Sequence, residues 1–68
     1  MTAKEMFDEL GYIEAIRTST DICSVSKKGH HLRFDGVNKV LWNDHTFLTL
    51  EEIKAIIRQC KELGWLDD

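Results

Sequence analysis

Two helix start signals and two helix stop signals frame this chain. Thr2 and Thr49 each stand three residues before a glutamate, Glu5 and Glu52. Each segment then closes on Glu-Leu-Gly-aromatic, at Glu9-Leu10-Gly11-Tyr12 and Glu62-Leu63-Gly64-Trp65. A threonine hydroxyl in that position accepts from a first-turn amide, and the glutamate carboxylate returns a bond to the threonine amide. Glycine after the last turn takes the left-handed conformation, and the aromatic beyond it folds back on the helix. The chain is therefore expected to carry a helix at each end, over about residues 2–10 and 49–63, with something else between.

The second helix has the stronger periodicity. Leu50, Ile53, Ile56, Ile57, Cys60 and Leu63 recur at three- and four-residue steps and predict one apolar face, with Lys54, Arg58, Gln59, Lys61 and Glu62 toward solvent. Phe47 is expected to seal the core edge where the chain enters this helix, and Trp65 to act as its cap contact. The first helix is too short to hold alone in water and must dock through Met6, Phe7 and Leu10.

Between the helices the period changes. Tyr12 to Arg17, Ile22 to Lys27, His31 to Phe34 and Lys39 to Trp42 read as short strands. Thr18-Ser19-Thr20-Asp21, Lys28-Gly29 and Asp35-Gly36 supply turns. Connections this short join antiparallel neighbours, since parallel pairs need long crossovers. The predicted fold is a single two-layer α+β domain over residues 1–68, of order αββββα. It consists of an antiparallel meander sheet with both terminal helices on one face.

Alternation along the strands is imperfect. Ile13 and Ile16 fall on opposite faces of a regular strand, as do Ile22 and Val25, and Leu41 competes with Val40 and Trp42. Two arrangements satisfy this. Either the sheet's outer face carries apolar groups that something covers, or a bulge resets the alternation. Of Leu41 and Trp42, one must face outward, and both are candidate protein-interface residues.

With 68 residues the chain has room for one small core. A hydrophobic share of 43% beside 31% charged residues is too apolar for disorder. There is no apolar run long enough to span a membrane and no charged-then-apolar opening, so the expected location is cytoplasmic. Cys23 and Cys60 are too few for a disulfide framework and lack Cys-x-x-Cys spacing, so reduced thiols are expected.

The net charge of −3 is unevenly spread: −3 over residues 1–16, +3 over 17–40 and −3 over 41–68. Lys27, Lys28, His30, His31 and Arg33 lie within seven residues, and Arg17 and Lys39 sit on neighbouring strands. Arg17, Lys27, Lys28, His31 and Arg33 form a candidate basic patch for phosphate contacts, or else a solvated hairpin whose charges discourage edge pairing. Helix-turn-helix, Gly-rich phosphate loop and RNA-binding signatures are missing from the sequence.

Cys23, His30, His31, Asp44 and His45 are metal-ligand types, but zinc-ligand spacing is lacking and adjacent strand histidines point apart. No metal or cofactor is expected. No nucleophile–base pair is fixed by the pattern, and so small a fold leaves little room for a substrate pocket. The chain is read as a non-enzyme.

The stretches Thr2-Ala-Lys-Glu-Met-Phe-Asp-Glu-Leu-Gly-Tyr12 and Thr49 to Trp65, with Phe34-Asp35-Gly36-Val37-Asn38-Lys39 between, cover about half the chain. They resemble very small uncharacterised proteins encoded by phages and prophages of Gram-positive bacteria. The resemblance implies a genomic setting and no particular chemistry. The expected role is therefore that of a small non-enzymatic phage-type protein acting by protein–protein interaction, through self-association or a host or phage partner. The alternative is a nucleic-acid-binding module using the basic hairpin and sheet face. If Arg17, Lys28, His31 and Arg33 form one exposed patch, nucleic acid gains; if exposed Ile, Leu or Trp side chains occupy that face, protein association does.

Overall fold

The computed structural model describes residues 1–44 and 47–67. Its elements run α1 (Ala3–Glu9), β1 (Tyr12–Arg17), β2 (Asp21–Ser26), β3 (His31–Asp35), β4 (Val40–Asn43) and α2 (Leu50–Glu62). The strands form one antiparallel meander in the order β1-β2-β3-β4.

Both helices are punctuated as their sequences require. Thr2 and Thr49 are N-caps in extended conformation, and each closes a complete capping box with Glu5 or Glu52. Gly11 and Gly64 adopt φ of 86° and 80° after the last turns. At the end of α2 the Gly64 amide donates to the Lys61 carbonyl and the Trp65 amide to the Cys60 carbonyl, which satisfies carbonyls that the helix leaves open.

The core lies between the helices and one sheet face. Ala3 and Phe7 from α1, Tyr12 from β1, Ile22 from β2, Leu32 and Phe34 from β3, and Ala55 from α2 are buried together. Phe7 meets Tyr12 and Phe34 edge-on at centroid distances of 5.5 and 6.2 Å, and Phe34 meets Trp65 at 6.2 Å. The helices are tied directly by Glu62, whose carboxylate accepts from the Ala3 amide at 2.8 Å and from Arg58 at 3.1 Å. The Ala3 amide is one of the donors that a helix start leaves without an intrahelical partner.

Two expectations are corrected. First, α2 is rotated relative to its apolar stripe. Glu52, Ala55 and Gln59 are its buried residues, whereas Leu50, Ile53 and Ile57 are exposed. Glu52 tolerates burial because it accepts from Tyr12 and from the Thr49 amide. The stripe is wider than the contact with α1 and the sheet, so half of it is left outside.

Second, Phe47 does not seal the core, because it is 85% exposed. The turn signalled by Asp35-Gly36 is present and joins β3 to β4. The loop spans residues 36–39, with Lys39 at φ 55°, and Asp35 accepts from the Val37 and Asn38 amides. Gly36 is required for contact: a Cβ built there would stand 2.0 Å from the Thr20 carbonyl oxygen.

Candidate functional site

The sheet has a face turned away from the helices. On it stand Ile13 and Ile16 from β1, Cys23 and Val25 from β2, His31 and Arg33 from β3, and Val40 and Trp42 from β4, by the strand registers. Ile13 and Ile16 share this face because the register shifts between Glu14 and Ile16, where a bulge adds a residue to β1. The bulge therefore resolves the broken alternation, but it does so by placing both isoleucines outside. The bulge is present, and the outer face carries exposed apolar groups beside it.

Four large apolar side chains remain uncovered here: Ile13 at 62%, Ile16 at 57%, Trp42 at 55% and Val40 at 50% exposure. Cys23 and Val25 are half-buried between them. Trp42 and Val40 border a shallow depression with Cys23, Arg33, His31 and Asp35. Leu41 points the other way and packs against the core cluster, so of the two candidate interface residues it is Trp42 that stands outward.

The candidate basic residues do not converge. Arg17 pairs in register with Ile22, on the helix side of the sheet, and donates to Glu14 at 2.5 Å. Lys27 and Lys28 occupy the β2–β3 turn at the opposite end of the sheet, beside His30 and Glu52. Only His31 and Arg33 reach the outer face, and both are matched by carboxylates. Arg33 donates to Asp21 at 2.7 Å, and its guanidinium holds the Asp21 carboxyl below the usual range. The His31 amide and ring lie 2.8 and 3.1 Å from the two oxygens of Asp44. Those bonds, the amide first, lower the Asp44 carboxyl.

The five basic residues thus fall into three separate regions, and three of them are locally paired. No sequence signal identifies these partners, since Asp21 and Asp44 lie 12 and 13 residues from the groups they meet.

Among the described residues, no group of three or more His, Cys, Asp or Glu side chains is placed to hold a metal ion. His45, a ligand type in the sequence, lies outside the described residues. Cys23 and Cys60 are free thiols. They belong to different layers, with Cys23 on the outer sheet face and Cys60 against the core, where burial pushes its thiol pKa up.

No helix among the described residues is long and apolar enough to cross a membrane. No family model, curated protein or solved structure matches this chain.

Proposed function

We propose that this is a small, non-enzymatic, phage-type cytoplasmic protein that acts by binding another protein through the outer face of its sheet. The observation that carries this reading is the composition of that face. Ile13, Ile16, Val40 and Trp42 stand exposed on it, and its two basic groups are matched by Asp21 and Asp44. In a two-layer fold with no further partner the outer sheet face is mostly polar. A half-exposed tryptophan beside aliphatic groups is the composition of an interface anchor.

A phosphate-binding surface needs unneutralised cations on one face. The separation of Arg17, Lys27 and Lys28 from His31 and Arg33 argues against one.

The test is affinity capture from an extract of a Gram-positive bacterium, comparing the native chain with Ile16→Lys and Trp42→Lys. Retention of a protein by the native chain and its loss with both variants is the expected result. Retention unchanged by both substitutions would sink the reading. A parallel mobility-shift assay at low salt should show no DNA or RNA binding.

A further inference from the structure

The two edges of the sheet are built differently. β1 is blunted by its bulge and by the charged pair Glu14–Arg17, both of which hinder addition of another strand. β4 has neither. Its four residues, Val40-Leu41-Trp42-Asn43, carry no charge, and its pairing with β3 is regular.

Among the described residues, apolar groups are exposed in both layers. Val40 and Trp42 lie on the outer sheet face. On the helix side, α2 turns Gln59 and Glu62 toward α1, where Glu62 accepts from the Ala3 amide. At 100° per residue, Leu50, Ile53 and Ile57 fall on the flank of α2 turned away from α1, and all three are exposed. Among the described residues, sheet layer and helix layer therefore both carry uncovered apolar groups.

We infer that a second copy of this chain continues both layers across the β4 edge. In this dimer β4 pairs antiparallel with β4 of the second copy about a two-fold axis at Leu41. The inference rests on the protein-binding reading above, names a second copy as the partner of Val40 and Trp42, and leaves Ile13 and Ile16 to a different one. Three features of the edge fit a second copy.

The axis stands normal to the sheet, so each residue faces the same side as its opposite number. Trp42 then lies beside Val40 of the second copy, and Val40 beside its Trp42, making two identical aromatic–aliphatic cross-strand pairs. Charge is also self-complementary. Lys39 precedes the strand and Asp44 follows it, so antiparallel pairing brings each Lys39 to the end of the strand where the other copy's Asp44 stands.

On the helix side, the Leu50, Ile53 and Ile57 flanks of the two α2 helices meet. A stable pair buries about 1,200–2,000 Å² in total, so a four-residue edge strand needs the helix flanks beside it. The dimer would present one eight-stranded outer face, with Ile13 and Ile16 at both ends, free for a different partner.

Sedimentation equilibrium over a wide concentration range tests this, with circular dichroism melts to show that each variant is folded. The native chain should dimerise. Val40→Lys and Ile57→Glu lie in different layers, and each should weaken the dimer at least about tenfold. Ile13→Lys, on the same face but at the far edge, should leave it unchanged. Hydrogen exchange at the Leu41 amide should slow as the dimer forms.

A native chain that stays monomeric to about 1 mM overturns the inference. So does an Ile13→Lys variant that loses the dimer as Val40→Lys does, because that result means face-to-face packing. Partner capture by a strictly monomeric chain would leave protein binding standing and the dimer refuted. A dimer sensitive to Val40→Lys that captures nothing would do the reverse for the foreign partner.

Discussion

The Tyr12 hydroxyl donates to the Glu52 carboxylate at 2.5 Å, joining the first residue of β1 to the first turn of α2 across 40 positions of sequence. The other oxygen of that carboxylate accepts from the Thr49 amide at 3.0 Å, so one side chain caps α2 and anchors it to the sheet. Burial, and after it the bond and charge of Glu52, push the Tyr12 pKa well above its ordinary 10.0.

Removing the hydroxyl with Tyr12→Phe should destabilise the fold by about 1.5–3 kcal/mol, because it strips a buried carboxylate of a donor. The urea midpoint should fall with an unchanged slope. The chain has one tyrosine, so absorbance of tyrosinate reports this group alone. In the folded protein that signal should not appear near pH 10, and in urea it should. The native pKa is the raised one, so this contribution is complete below pH 10 and declines as pH climbs from there through the native value. In Tyr12→Phe that part of the alkaline decline should vanish.

Two glycines should separate contact from conformation. Gly36→Ala drives a Cβ into the Thr20 backbone, where no flexible side chain can yield. A loss of about 3 kcal/mol or more, or failure to fold, is expected. Gly29 has φ of 84° and open space around its Cβ position, so Gly29→Ala should cost only the left-handed penalty of about 1 kcal/mol. Equal melting temperatures for the two variants would contradict this account.

The fold was legible where the physics is local. Capping threonines, the glycines after each helix and the short turns act within a few residues, and they place both helices and the meander with small shifts at strand ends. What was not legible depends on distant partners. Gln59 and Glu52 are polar by type yet buried. Ile53 and Ile57 are apolar yet exposed, because α1 and the sheet cover only part of the stripe. The bulge in β1 carries no residue signature, so the shared outward direction of Ile13 and Ile16 emerges only from the register. The charge run at Lys27 to Arg33 is contiguous in sequence and divided in space, since successive strand residues alternate faces and turn residues leave the sheet.

Acid should weaken the fold through Asp21, Asp35 and Asp44. Asp35 is lowered by its Asn38 side-chain and backbone bonds, Asp21 mainly by Arg33, and Asp44 mainly by the His31 amide. Each native pKa lies below the ordinary 3.8. The stabilisation is therefore present above that pH and lost as pH falls through the native values. Asp35→Asn should be less stable than the native chain at pH 6 and converge with it in strong acid. A constant difference in urea midpoint across that range would show that the Asp35 charge is not what holds the 36–39 loop.

Leu41 and Trp42 are neighbours with opposite duties, and stability can tell them apart. Leu41→Ala removes packing from the core side of β4 and should cost about 2 kcal/mol. Trp42→Thr keeps strand propensity on a half-exposed outer position, so in a monomeric sample its cost should stay within about 0.5 kcal/mol. The capture assay should rank the two in reverse, with Trp42→Thr abolishing capture and Leu41→Ala retaining it in the folded fraction. If Trp42→Thr instead unfolds the monomer, the side chain belongs to the fold's own stability, and the outer face loses its anchor.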